Sequence, residues 1–128
     1  MRIFKTKWFA RFASKEGIDD AKLVETVQSI ESGLVDADYG GGLIKQRIAR
    51  DGGGKSGGYR SAVAFRSENR SIFLFAFPKN DQENLTIVER REYKKAAVLY
   101  LGMTEKQIQK AMDNGALIEV EYVKKIQK

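Results

Sequence analysis

LIKQRIARDGGGKSGGYRSAVAFR, residues 43–66, decides the reading of this chain. It carries six basic residues, Lys45, Arg47, Arg50, Lys55, Arg60 and Arg66, against the single acid Asp51. The segment therefore supplies +5 of the formal +6 of the 128-residue chain, and everything else nearly cancels. Leu43 to Ala49 alternates with the period of a half-buried strand, Leu43, Lys45, Arg47 and Ala49 on one face and Ile44, Gln46 and Ile48 on the other. Tyr59 to Arg66 alternates too, setting Tyr59, Ser61, Val63 and Phe65 opposite Arg60, Ala62, Ala64 and Arg66. Between them five of the eight residues from Asp51 to Gly58 are glycine. Strand, loop and strand read as a hairpin with a long tip. The tip is expected to be mobile, because glycine loses the most backbone freedom on ordering. Two basic strand faces joined by a basic loop form a concave cationic surface, and its simplest ligand is a polyphosphate backbone.

Working outward, Ser67 to Arg70 reads as a turn, and Ser71 to Phe77 is apolar almost throughout, as a strand buried on both faces is. It is expected to be the central strand, ended by Pro78 and followed by a loop from Lys79 to Asn84. On the other side, Asp36 to Gly42 reads as a loop delivering the chain to the hairpin. Met1 to Thr6 suits a short first strand, and Lys7 to Lys15 places Trp8, Phe9 and Phe12 at helical spacing, read as core packing ahead of the alternative, a base-stacking platform. Gly17 stops that helix. Ile18 and Asp19 then look like a staple residue and an N-cap for a second helix, carrying Ala21, Val24, Val27 and Ile30 and ending at Gly33. The two helices are expected to form an antiparallel pair. Residues 17–42 carry six acids and one base, an acidic face turned away from the basic hairpin.

Beyond the loop, a helical pattern runs from about Leu85 to Leu101, with Val88, Ala96, Val98, Tyr100 and Leu101 apolar and Gly102 as its cap. Thr104 and Gln107 make a capping box for a short helix ending at Asn114-Gly115, and an edge strand follows before the lysine-rich tail. The length suits a single domain spanning residues 1–128.

The composition excludes much. With no cysteine and no histidine there is no disulfide framework, and a structural zinc site is nearly excluded; no metal or cofactor is expected. The same lack rules out Ser-His-Asp and Cys-His nucleophiles and a two-histidine ribonuclease mechanism. Gly54-Lys55-Ser56 ends like a phosphate loop, but Ala49 stands where the leading glycine belongs, and a strand rather than a helix follows. No apolar run is long enough to span a membrane, and the basic, aromatic N-terminus does not read as a signal peptide, so a cytoplasmic setting is expected. A pI near 9.5 favours an acidic partner, nucleic acid first.

What remains is cationic chemistry on phosphate. Cleaving RNA without histidine requires activation of a ribose 2′-OH, stabilisation of a dianionic phosphorane and protonation of the leaving 5′-oxygen. Arginine suits the second task through its fixed fork of donors. Lysine suits the first where neighbouring cations and desolvation lower its pKa, and Tyr59 or the phenylalanines can stack a base. A basic binding face without catalysis satisfies the same residues.

Residues 44–80, IKQRIARDGGGKSGGYRSAVAFRSENRSIFLFAFPKN, with a strand and helix pair before and helices after, resemble the RelE/ParE toxin superfamily, specifically its HigB-like RelE branch with a GKSGGYR loop. The similarity covers about residues 1–120. It implies an α+β, RelE-like fold: two N-terminal helices packed on a small, twisted, mostly antiparallel sheet, with C-terminal helices. It further implies a type II toxin that enters the ribosomal A site, cleaves mRNA by metal-independent 2′-OH attack, and is silenced by a cognate antitoxin, of helix-turn-helix type, in a hetero-oligomer. Arg60 matches the arginine that stabilises the scissile phosphate. Lys45 and Arg47 stand where such toxins have paired lysines, one a candidate general base, and only Lys45 keeps a lysine. Lys55 matches a basic loop residue that contacts phosphate. Lys79 and Asn80 lie where relatives place further basic residues, Asn80 being a departure. Arg50, Tyr59 and Arg66 complete the expected RNA-binding set. The C-terminal tyrosine or histidine of many relatives has no counterpart at matching spacing, Tyr93 and Tyr122 being the tyrosines of that part. Alternatives left open are a ParE-like gyrase poison, a non-catalytic nucleic-acid-binding module, and a homologue that only binds its antitoxin.

Overall fold

The structure, a computed structural model, describes residues 1–49, 58–79, 82 and 84–121. The elements run β1 (Arg2–Thr6), α1 (Lys7–Glu16), α2 (Asp20–Glu31), β2 (Ala37–Gly40), β3 (Leu43–Ile48), β4 (Tyr59–Arg66), β5 (Arg70–Pro78), α3 (Ile87–Leu101), α4 (Glu105–Asp113) and β6 (Leu117–Glu119). The strands form one sheet in the order β2-β3-β4-β5-β1-β6, antiparallel at every pairing except the parallel β1–β5 pair. This is the expected α+β class. The apolar run of β5 lies between β4 and β1, as a strand buried on both faces must.

Two cores lie on opposite faces of the sheet. On one, Phe9 and Ala13 of α1 and Leu23, Val27 and Ile30 of α2 pack against Ile44, Ile48, Tyr59, Val63 and Phe73. On the other, Ala97 and Leu101 of α3 and Ile108 and Ala111 of α4 cover Leu43, Ala62, Ala64 and Ile72. Strand alternation sends each strand's residues to both. Val63 pairs with Phe73 and Ala62 with Phe75, so Leu74 is an extra residue in β5 and the strand bulges there.

Helix ends follow the residues that cap them. Thr6 accepts from Phe9 N and Asp19 from Lys22 N, while Gly17 closes α1 at φ 75°, in the left-handed region that glycine enters without a Cβ clash. Thr86 with Glu89 and Thr104 with Gln107 both form complete capping boxes.

Several expectations are corrected. Asp36–Gly42 is not all loop: Ala37–Gly40 is an edge strand on β3, joined to it by a tight turn through Gly40, Gly41 and Gly42, all at positive φ. Glycine is required at Gly42 on a second count, since a Cβ there would collide with Leu101 Cδ1. The buried stripe of α2 is Leu23, Thr26, Val27 and Ile30, while Ala21 faces solvent. On α3, Val88 and Val98 point outward with Ile87 and Leu99, and Ala97 and Leu101 make the contact with the sheet. Trp8 is 45% exposed, because β1 ends at Thr6 and leaves the last residues of β5 without a strand on that side to build a core around the indole.

Arg70, read from sequence as the end of a turn, opens β5 with its side chain only 6% exposed. Its guanidinium donates to the carbonyls of Tyr100 (3.0 Å) and Met103 (2.7 Å) and to Glu105 (2.7 Å). The carbonyls at the C-terminal end of α3 lack intrahelical donors, and a cation there satisfies them while meeting the negative end of the helix dipole.

Candidate functional site

The register of β3 and β4 builds the site. Arg47 stands directly opposite Arg60, Lys45 opposite Ala62, and Leu43 opposite Ala64, so Lys45, Arg47 and Arg60 share the face that α3 covers. On β5, Phe77 is the partner of Arg60 and Phe75 that of Ala62. The arrangement follows from alternation: each strand sends its basic residues, with Leu43, Ala62 and Ala64, to one face and Ile44, Ile48 and Val63 to the other. Like charges directly opposite on neighbouring strands repel and cost stability.

Arg60 is half-buried, and its Nη1 is fully enclosed with no hydrogen-bond partner among the described residues. A buried donor without an acceptor is costly, and few persist in folded proteins. Lys45 Nζ donates to the side-chain oxygen of Asn84. Asn84 in turn belongs to a braced turn: Gln82 Nε2 donates to Asn84 O (2.7 Å) and Glu89 Oε1 (3.2 Å), and that same Glu89 oxygen accepts from Thr86 N (2.9 Å). The N-terminus of α3 thus fixes the residue that holds Lys45.

Tyr93 enters from α3. Its ring stacks on Phe75 with centroids 5.0 Å apart and planes at 17°. Phe75 is two strands from Lys45, with Ala62 between, a separation of roughly 10 Å at the usual strand spacing. Burial first, and then the charge of Glu89, pushes the Tyr93 hydroxyl above its ordinary pKa, so it is a neutral phenol at pH 7.

Of the residues expected at the site, Lys45, Arg47 and Arg60 are brought together. Lys79 is exposed one residue past β5 and two beyond Phe77, its amide donating to Gly58 O at the root of the hairpin. Tyr59 lies on the opposite face, 3% exposed, its hydroxyl donating to Glu16 Oε1 and its ring edge-on to Phe12. Arg66 sits six residues along β4 from Arg60, roughly 20 Å away, and donates to Leu101 O. The structure therefore separates Tyr59 and Arg66 from the cluster. Arg50, Lys55, Asn80 and Tyr122 lie outside the described residues, as does most of the glycine-rich tip. Asn84 was read only as the end of a loop. Its one sequence signal is its place just before the apolar Leu85 and the Thr86 cap.

Among the described residues no helix is long and apolar enough to cross a membrane. No curated protein matches the chain closely enough to add a named relative. The family model described as the RelE toxin of the RelE / RelB toxin-antitoxin system matches residues 1–120. With nearly the whole chain covered and a sheet that carries the basic cluster on one face, this chain belongs to the RelE toxin family, the toxins of RelE/RelB toxin-antitoxin systems.

Proposed function

We propose that this toxin is a ribosome-dependent mRNA endonuclease of the HigB-like branch, acting in the cytoplasm and held inactive by a helix-turn-helix antitoxin. The observation that carries the reading is the enclosed Nη1 of Arg60, without a hydrogen-bond partner among the described residues, set opposite Arg47 and two residue pairs from Lys45 on the same face. A guanidinium presents paired donors in a fixed fork, the geometry of two phosphate oxygens. A scissile phosphate supplies an acceptor for the guanidinium of the half-buried Arg60, and its charge relieves the repulsion across β3 and β4.

In this reading the 2′-oxygen attacks phosphorus, the 2′-proton passes to Lys45, and the bond to the 5′-oxygen breaks, leaving a cyclic phosphate and a 5′-hydroxyl end. Arg60 and Arg47 bind the two charges of the phosphorane, where donors aimed at the developing charge contribute most. Lys45 must first be free of its proton and of Asn84, which holds the amine in position. Tyr93, a neutral phenol on the helix covering this face, is a candidate among the described residues to protonate the leaving oxygen. Lys79, with Lys55 and Arg50 from the hairpin tip and Asn80 beyond β5, contacts flanking phosphates. Tyr59, buried in the opposite core, has no part in the reaction.

The test is 5′-end mapping of an mRNA incubated with the purified protein, with and without translating ribosomes. New ends are expected only with ribosomes. Arg60→Ala should lower their yield by about a hundredfold or more, as loss of a charge-stabilising donor does, and Arg60→Lys should not restore it. Lys45→Ala should also abolish cleavage. New ends in no lane, from folded protein, would overturn the reading, and a supercoiling assay with gyrase would then decide for the gyrase-poison alternative.

A further inference from the structure

The one tryptophan of the chain is unexplained by either core. Trp8 is 45% exposed, yet it is well supported: its ring stacks on Phe12 at 5.3 Å and 11°, and meets Phe75 at 4.8 Å and 37°. Phe75 also touches Phe77, the cross-strand partner of Arg60, at 6.0 Å. The indole therefore reaches round the end of β5 left open by β1 and comes within two ring contacts of the Arg60 position. Around it on α1 lie Lys7, Arg11 and Lys15, spaced by four and all exposed. On a helix, Arg11 is three residues from Trp8, and Lys15 lies at nearly the same bearing two turns on. Among the described residues none of these three cations has an ion-pair or hydrogen-bonding partner. Glu16, the acid nearest in sequence, is engaged by the Tyr59 hydroxyl.

An exposed, braced aromatic ring beside a line of free cations is the combination that binds unpaired nucleic acid, the ring stacking a base and the cations following the backbone. A protein partner would bury the ring in an apolar pocket and leave the charges at the rim, whereas unpaired nucleic acid uses ring and cations together along one strand. We propose that Trp8, with Arg11 and Lys15, forms a second single-stranded RNA site on α1, which holds an unpaired base outside the cleavage centre. It rests on the reading of the ligand as RNA, and it assigns a role to a face that the cleavage chemistry leaves unused.

Because Trp8 is the only tryptophan, its fluorescence reports this site alone. The full-length protein is titrated with a 2′-O-methylated single-stranded oligoribonucleotide, which lacks the attacking hydroxyl, while anisotropy of the labelled oligonucleotide follows binding independently. Saturable quenching that tracks the anisotropy is expected. Trp8→Ala should weaken binding roughly ten- to a hundredfold, and Arg11→Glu with Lys15→Glu at least tenfold. Trp8→Phe keeps a ring and guards against a folding defect; it should retain part of the affinity. Inorganic polyphosphate should bind without quenching, since it has no base. Binding by anisotropy with unchanged fluorescence, equal quenching by polyphosphate, or full affinity in Arg11→Glu/Lys15→Glu would each overturn the proposal. So would quenching by a cognate antitoxin with none by RNA, which would make α1 a protein interface. Arg60→Ala should keep the quenching while losing cleavage, so failure of this site and failure of the nuclease reading give different results.

Discussion

At the scale of single residues, charges in this molecule are either answered or left open, and the proposed site falls among those left open. Arg70 is answered by two carbonyls and Glu105, and Arg2 by Glu105 at 2.8 Å and Glu119 at 2.9 Å. Arg60 Nη1 is enclosed and unanswered among the described residues. The Arg2–Glu119 pair joins strands 117 residues apart in sequence. Hydrogen bonding from Arg2 is the main cause that holds the Glu119 carboxyl below its ordinary 4.5; burial opposes it, and the Arg2 charge reinforces it. A carboxylate with a depressed folded pKa stabilises the fold above its ordinary, unfolded value and loses that contribution as pH falls through the folded value. Wild type should therefore melt above Glu119→Gln at pH 7, and the gap should close on acidification below about pH 4. Thermal unfolding across that range checks it; an equal gap at pH 3 and pH 7 would refute the assignment.

At the scale of elements, α3 has two roles that its hydrophobic pattern does not separate. Its inner side carries Ala97 and Leu101 into the core, and its first turn braces the site. Glu89 closes the capping box with Thr86 and accepts from Gln82, and Gln82 donates to the carbonyl of Asn84, which holds Lys45. Thr86→Ala should cost about 1 kcal/mol in urea unfolding, as loss of an N-cap does. Because the same turn positions Lys45, cleavage should also slow severalfold under conditions where the variant is fully folded. A variant that loses stability but cleaves at the wild-type rate would show that the brace does not reach the site.

For the whole molecule, the hairpin's cations and the acids of residues 17–42 stand on different elements. Lys45, Arg47 and Arg60 lie on the α3 face, while the acids of residues 17–42 belong to α2, β2 and their connections. If the cations assigned to RNA, Arg47, Arg60, Lys79, Arg50, Lys55, Arg11 and Lys15, each displace one counterion, the logarithm of RNA affinity should fall with the logarithm of salt at a slope of about −5, from roughly −0.7 per contact on single strands. Arg47→Ala should reduce that slope by nearly one contact. A slope near zero, measured by anisotropy between 50 and 300 mM salt, would remove the phosphate-backbone reading of this face.

Much of this was written locally. Alternation in residues 43–48 and 59–66 set two strands and the faces of their basic residues, Gly17 and Asp19 punctuated the helices, and Thr104 with Gln107 announced the last one. These are near-neighbour rules of period and capping, so sequence alone determined them. That Lys45, Arg47 and Arg60 share one face was legible because a hairpin fixes the register of strands adjacent in the chain. Asn84, Tyr93 and the open position of Trp8 were not, for each depends on contact with an element distant in sequence. Tyr59 was misplaced for a related reason: alternation put it on the other face from Arg60, but only α1 laid across that face made the position a buried core site. The outward turn of Val88 and Val98 likewise waited on where α3 settles against the sheet. Sequence fixed what each residue can do and which side of its own strand it takes; tertiary structure decided what stands opposite, because burial and partnership belong to pairs of elements and not to either one.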